Sequence, residues 1–240
     1  SAPVRIDSKP LIRTVLSAIA VIAGNWRLVD VISYLKSGGF TGLSPDETRA
    51  VESYAETWSI NGRAWHRADW NMNPRGFIKP DENDLAELER LNLLRQRFTE
   101  PLLRLGKVFE TPATVADISR SLYGFIEELG LPEKAEAAEA AAPEEGILTL
   151  WGALMSALDR LVEIAGDLKA DAIQYLSLLT LVIESSPVGR LPMLRDCVNI
   201  SRADMMRLDD VKYVYIIGAN EGGFPAASPE DRLLDSYDRK

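Results

Sequence analysis

The sequence predicts a mainly α-helical protein, with a helical bundle over residues 1–190 and a small α/β piece over 191–240. The bundle is predicted because apolar residues recur at spacings of three and four through most of 9–185, the pattern of helices with one buried face. With 240 residues, of which 46% are hydrophobic, the chain is long enough to bury a core without disulfides. The α/β piece is predicted because this spacing is lost after residue 190.

The predicted helices begin and end at recognisable signals. Ser44, Pro45 and Glu47 have the spacing of an N-terminal capping box with proline in the first turn. Gly24 and Gly130 suit the positions that follow a helix. The predicted helices span about 9–23, 25–38, 44–58, 81–110, 111–130, 147–165 and 169–185.

Four further features complete this pattern. Pro101 lies inside the helix over 81–110 and is expected to kink it or split it in two. Residues 61–79 contain Gly, Pro and Asn at turn spacings, which indicates a structured loop. Residues 133–146 are dominated by Ala and Glu, so we interpret them as a surface linker or a loose helix. Asn25 is expected to cap the second helix.

Two strands are predicted in the C-terminal piece. Residues 213–217 form a β-branched and aromatic run, which is typical of a strand buried on both faces. Residues 194–200 alternate loosely between apolar and polar side chains. The connector of 11 residues over 201–211 is near the lower limit for a parallel crossover, so we expect two parallel strands.

Composition excludes several classes of function. The formal net charge is −9, opposite in sign to that of a typical free-standing duplex-DNA binder. The single Cys197 excludes an internal disulfide and a cysteine-ligated zinc or iron–sulfur site within the chain, and it indicates a cytoplasmic protein. The single His66 excludes a multi-histidine metal site. No apolar run reaches the ~18 residues of a membrane span, and no P-loop, dinucleotide-binding or metalloprotease motif occurs.

Residues 61–79 combine basic and aromatic side chains, which is what single-stranded nucleic acid requires. Their formal charge is +3, whereas the remainder of the chain sums to −12. The candidate contacts are Arg63 and Arg67 for phosphates, and Trp65 and Trp70 for stacking on bases. The alternative interpretation is that both tryptophans fill a gap between helices and that the arginines lie over them.

The most specific segment is 198–225, where a predicted strand, a polar connector and a second strand lead into Gly-Ala-Asn-Glu-Gly-Gly-Phe-Pro. This order resembles the motif V region of superfamily 1 helicases. Its details resemble more closely the AddB/RexB family, the B subunit of bacterial AddAB-type ATP-dependent helicase–nucleases. Residues 10–44 and the segment 58–65 are also similar to that family.

The resemblance implies an architecture and a role. Residues 1–190 would correspond to a 2B-like helical insertion, and 191–240 to the start of a 2A-like domain, in a helicase-like region without motor activity. The chain alone would be non-catalytic. The parent subunit would act with an A subunit on DNA ends and single-stranded DNA, and would process double-stranded DNA breaks for recombinational repair. The further candidate DNA contacts are Ser201, Arg202, Arg207 and Asn220.

The cofactors that the resemblance implies belong to the parent complex: ATP with Mg²⁺, and a divalent metal with a 4Fe-4S cluster in a nuclease domain. None is expected in this chain. Active helicases of the superfamily carry Lys-Gly-Leu-Glu in the connector, whereas residues 206–210 are Met-Arg-Leu-Asp-Asp, so we expect no ATP binding. Two alternatives stay open: an all-helical protein-interaction scaffold without a nucleic-acid role, and a piece of an active superfamily 1 helicase.

Overall fold

The computed structural model describes residues 9–143, 146–185 and 213–215. Within these residues the chain forms eight α-helices and a single sheet of two short strands, so the prediction of a mainly α-helical protein is confirmed. The helices are α1 (Pro10–Ala23), α2 (Leu28–Leu35), α3 (Pro45–Thr57), α4 (Glu82–Gly106), α5 (Val115–Glu128), α6 (Leu131–Ala141), α7 (Ile147–Ala165) and α8 (Ala172–Ser185). The strands are β1 (Ala113–Thr114) and β2 (Lys169–Ala170).

The prediction of two parallel strands is wrong. The sheet in the described residues is antiparallel, with Ala113 of β1 opposite Ala170 of β2 and Thr114 opposite Lys169. Antiparallel pairing needs no crossover connection, so two strands of two residues each can pair directly in front of α5 and α8. The sheet thereby fixes where these two helices start.

The predicted strand over 213–217 is described only at residues 213–215, and no strand forms there. Residues 213–215 have no strand conformation, and Tyr213 and Tyr215 are 78% and 87% exposed. An apolar, β-branched run forms a strand only where neighbouring strands complete its hydrogen bonds and cover its faces. The predicted first strand over 194–200 lies outside the described residues, and the proposed boundary at residue 190 stays a prediction.

Local signals set some helix ends and distant residues set others. The capping box at α3 is confirmed: Glu47 N donates to Ser44 Oγ at 3.2 Å, and Ser44 N donates to Glu47 Oε2 at 2.7 Å. Helix α2 begins at Leu28 rather than at Asn25, because Leu28 N donates to the side chain of Asn61 at 3.0 Å, across 33 positions of sequence. The cap of α2 therefore comes from the loop that follows α3.

Two irregular segments had alternative expectations. Helix α4 runs unbroken for 25 residues to Gly106, so it is not split at Pro101, which lies on its buried face. Of the two interpretations of the Ala/Glu segment, the helix is found: much of the segment belongs to α6, with Leu131 and Ala135 fully buried. Gly130, at a φ of 61°, forms the left-handed link between α5 and α6 that other residues adopt only with strain.

The described helices lie in one of the two compact units into which the chain divides, Val4–Arg195. Helix α1 occupies its centre and packs against α2, α7 and α8. Its apolar side chains Leu11, Val15 and Ile19 are fully buried. Burying each such side chain contributes about 1.5–3 kcal/mol, so the amphipathic helices stabilise one another through a shared core.

Candidate nucleic-acid interface

Residues 61–79 connect α3 to α4, and the structure buries both tryptophans that the sequence marked as candidate base contacts. Trp65 ends a short 3-10 helix, Gly62–Trp65, and is 0% exposed, while Trp70 is 6% exposed. The Trp70 ring stacks on Tyr54 of α3, with centroids 4.6 Å apart. The Trp65 ring packs on Trp70 at 5.8 Å and on Phe98 of α4 at 5.9 Å. Both rings therefore join α3 to α4, as in the alternative interpretation.

Helix α4 holds this loop through a buried arginine. The guanidinium of Arg95 donates to the backbone oxygen of Trp65 at 3.2 Å and to the carboxylate of Asp69. It also lies 5.9 Å from the centre of the Trp70 ring. A buried charge is costly unless it is paired and hydrogen-bonded, and these loop contacts satisfy Arg95 together with a hydrogen bond from its Nε to Asn92 Oδ1 at 3.2 Å. Folding of the loop and burial of Arg95 are consequently coupled.

One turn earlier, Asn92 clamps the backbone of Trp70. Its side-chain oxygen accepts from Trp70 N at 2.8 Å, and its side-chain nitrogen donates to Trp70 O at 2.9 Å. Neither Asn92 nor Arg95 was among the residues predicted from the sequence. The signal was present for Arg95, because it lies four residues after Leu91 and three before Phe98, on the apolar stripe of α4. A charged residue in such a stripe indicates a buried polar contact.

The second half of the segment is fixed by a different ion-pair network. Arg75 donates to both carboxylate oxygens of Asp84, at 2.5 and 2.6 Å, and to Asp81 at 2.7 Å. These two aspartates also form the capping box of α4. The hydrogen bonds from Arg75 hold the pKa of Asp84 below its usual value. Because Arg75 is shared between two carboxylates, it adds no net positive charge to the surface.

Other cations of the segment remain exposed. Arg63 and Arg67 lie one turn apart, with Arg67 N donating to Arg63 O at 2.9 Å, and their side chains form no ion pair within the described residues. Lys79 is likewise exposed and unpaired there. Phe77 is 91% exposed, and its ring lies edge-on to the ring of Trp58, with centroids 4.7 Å apart. The exposed cations without an ion pair are thus two arginines and one lysine, and Phe77 is the most exposed large apolar side chain beside them.

His66 adds no cationic group to this surface near neutral pH. Burial lowers the pKa of His66, and the nearby charges of Arg63 and Arg95 lower it further. Its ring packs against Trp26, with centroids 4.8 Å apart. We therefore assign His66 to the packing between the loop and the end of α1 rather than to phosphate binding.

The remaining sequence-based candidates are Ser201, Arg202, Arg207 and Asn220, and they lie outside the described residues. Within the described ranges, no group of three or more His, Cys, Asp or Glu side chains is arranged to hold a metal ion. No helix among the described residues is both long and apolar enough to cross a membrane.

Comparison with known proteins identifies the relatives of the chain. No protein-family model matches it. Over 98% of its length it is 32% identical to the B subunit of the ATP-dependent helicase/deoxyribonuclease from Acetivibrio thermocellus, and 30% identical to the B subunit from Clostridium acetobutylicum. Over 96% of its length it is 29% identical to the protein of the same name from a Bacillus cereus strain. The resemblance to the B-subunit family is confirmed.

The chain spans only about one fifth of these B subunits, 21% of each relative's length. The residues present do not fit the cofactors that the B-subunit resemblance implies. One cysteine cannot supply the four ligands of a 4Fe-4S cluster, and the sequence has no P-loop for ATP phosphates.

Proposed function

We propose that the chain is a non-catalytic, helicase-like part of a B subunit of an ATP-dependent helicase/deoxyribonuclease. Such a subunit, with its A subunit, would process double-stranded DNA breaks for recombinational repair. The proposal is supported by similarity to B subunits over 96–98% of the chain. ATP with Mg²⁺, and the divalent metal and 4Fe-4S cluster of a nuclease domain, would be held elsewhere in the complex.

Within that role, we propose that the loop 61–79 contacts the phosphates of single-stranded DNA through Arg63 and Arg67. The observation that carries this proposal is that both arginines are exposed and unpaired within the described residues, in a chain of net charge −9. Unpaired cations in an acidic protein are available for an anionic partner. Trp65 and Trp70 would support the contact indirectly, because their buried rings fix the turn that carries both arginines.

The experiment uses the complete B subunit in complex with its A subunit. The variant Arg63→Gln/Arg67→Gln removes both charges without disturbing the buried rings, and Arg160→Gln, at an exposed arginine of α7, is the matched control. Affinity for single-stranded DNA is measured by fluorescence anisotropy over a series of salt concentrations. Each phosphate contact contributes roughly 0.7 to the slope of log K against log salt, so losing both contacts should reduce the slope by about 1.4.

A slope equal to that of the unaltered complex and of Arg160→Gln would overturn the DNA contact. The rival role, a protein-interaction scaffold without nucleic-acid contact, is favoured by one specific observation: Trp65 and Trp70 have no exposed ring face for stacking on bases. If the loop served that role, the double variant would weaken assembly with the A subunit and leave the salt slope unchanged. Size-exclusion chromatography of the same samples distinguishes the two outcomes.

A further inference from the structure

The loop 61–79 carries one phenylalanine or tryptophan ring that solvent reaches. Trp65 and Trp70 are buried, whereas Phe77 is 91% exposed, more than any other large apolar side chain among the described residues. Its ring lies edge-on to that of Trp58, and at this exposure at least one of its faces is open to solvent. An exposed phenylalanine lacks the stabilisation that burial provides, so it adds little to the stability of the fold. The ring is therefore available to a partner.

A hydrogen-bonded turn holds Phe77 in this position. The side chain of Asn73 bonds to the turn on both sides of Phe77: its oxygen accepts from Arg75 N at 2.9 Å, and its nitrogen donates to Ile78 O at 2.9 Å. The indole nitrogen of Trp58 donates to the backbone oxygen of Asn73 at 3.1 Å, which ties the turn to the end of α3. Because the turn is already ordered, a partner that binds the ring avoids the entropy cost of ordering the loop.

A cation lies beside the exposed ring. Lys79 is exposed and forms no ion pair within the described residues. Its Cα lies at most about 7 Å from that of Phe77, because two residues of extended chain span no more. The nearby carboxylates of Asp81 and Asp84 are both bonded to Arg75, which offsets part of their charge. An exposed ring next to a cation is the combination that binds single-stranded nucleic acid, since the ring stacks on a base and the cation contacts a phosphate.

We propose that Phe77 is the residue of the loop 61–79 that stacks on a base of single-stranded DNA, with Lys79 on a neighbouring phosphate. The inference deepens the proposed function and rests on it, because it takes the DNA contact at Arg63 and Arg67 as given. It moves the stacking role from the two buried tryptophans to a ring that a base can reach.

A nucleobase fits this place better than a protein surface does. Stacking needs one open ring face, which Phe77 has, and any base can supply the other face. The other large apolar side chains of the loop that solvent reaches are Ile78 and Met72, 53% and 37% exposed. These side chains are few beside the roughly 20–30 residues per side of a stable interface between separate proteins. Single-stranded DNA is therefore the occupant proposed.

The test uses the complete B subunit in complex with its A subunit. Affinity for single-stranded oligonucleotides is measured by fluorescence anisotropy for the parent complex and for Phe77→Ala, Phe77→Trp and Leu93→Ala, the last a control at an exposed apolar residue of α4. Phe77→Ala should weaken binding by about 5- to 150-fold, the equivalent of the ~1–3 kcal/mol of one stacked base. Phe77→Trp, which keeps a ring, should bind at least as tightly as the parent, and Leu93→Ala should bind equally.

A second measurement locates the stacked base. A series of oligonucleotides carries a single abasic nucleotide at successive positions. At one position, the missing base should weaken binding to the parent complex but not to Phe77→Ala, because that variant has already lost the stack. Equal affinity of Phe77→Ala and the parent complex overturns the proposal, as does the same abasic effect in both at every position.

The salt slope separates this inference from the proposed function. Phe77→Ala should leave the slope unchanged because stacking releases no counterions, whereas Arg63→Gln/Arg67→Gln should lower it. A lowered slope in the double variant beside unchanged affinity in Phe77→Ala would refute the stacking and leave the phosphate contact standing. The converse result would support the stacking and refute the contact at the two arginines. Loss of the A subunit from Phe77→Ala in size-exclusion chromatography would overturn the stacking and assign Phe77 to a protein contact.

Discussion

Replacing Trp65 tests whether the loop 61–79 is part of the core. Trp65 is fully buried and packs against Trp70 and Phe98. Trp65→Ala should therefore leave a cavity between the loop and α4 and weaken the packing of α3 against α4. Large-to-small changes of a buried tryptophan cost about 3–5 kcal/mol. That is a large part of the roughly 5–15 kcal/mol that stabilises a typical domain. The matched change Phe77→Ala, at a ring that is 91% exposed, should cost less than about 0.5 kcal/mol.

A third variant separates ring packing from hydrogen bonding. Trp65 Nε1 is buried and has no hydrogen-bond partner among the described residues. An unsatisfied buried donor costs about 1–3 kcal/mol, so Trp65→Phe removes that penalty while keeping an aromatic ring. We expect Trp65→Phe to destabilise the protein by less than half as much as Trp65→Ala.

The assay is urea denaturation followed by far-ultraviolet circular dichroism, which does not depend on the fluorescence of the tryptophan removed. The free energy of unfolding is obtained for all three variants and the parent chain. A cost under about 1 kcal/mol for Trp65→Ala, or an equal cost for Phe77→Ala, would refute the assignment of Trp65 to the core. The exposed base-stacking role would then regain support.

Two further predictions concern polar contacts. The lowered pKa of Asp84 means that its ion pair with Arg75 stabilises the fold above about pH 4, the unfolded value, and that this stability is lost as pH falls through the lower folded value. The free energy of unfolding is measured by urea denaturation at a series of pH values. Arg75→Gln should reduce the loss of this free energy at acid pH, whereas Arg49→Gln should not. Equal pH dependence for the two variants would contradict this account. The buried hydroxyls of Ser119 and Tyr175 lie 2.8 Å apart and join α5 to α8. Tyr175→Phe should cost about 1–2 kcal/mol, and Ser119→Ala combined with it should cost less than the sum of the two; strict additivity would show that the bond is not formed.

The features that sequence predicted well depend on neighbouring residues. Helical spacing predicted α1, α3, α7 and the body of α8, and the capping box at Ser44 was predicted from three residues. The features that it missed depend on distant pairs. The start of α2 is set by Asn61, 33 positions away, and β1 pairs with β2 across more than fifty residues. No local pattern encodes such contacts, so the helix start was misassigned and the strands were expected elsewhere.

The burial of the two tryptophans in the candidate interface also depends on distant residues. Spacing alone marked Trp65 and Trp70 as aromatic groups among basic ones, and it could not tell a buried ring from an exposed one. The deciding contacts come from Asn92 and Arg95 on α4, more than twenty positions further along the chain. In the sequence, these contacts are indicated only by Arg95, a charged residue inside the apolar stripe of α4.

The formal charge of +3 over residues 61–79 is not spread over all of the charged residues in this segment. Asp69 is matched by Arg95, and Arg75 is matched by Asp81 and Asp84, so the ion pairs that fix the loop carry no positive excess. The excess lies on Arg63, Arg67 and Lys79. A contact with single-stranded DNA at this loop would then neutralise at most three phosphates, which limits its share of the salt slope to about 2. Binding by this chain alone should therefore be weak and salt-sensitive, and tight DNA binding would have to come from other parts of the complex.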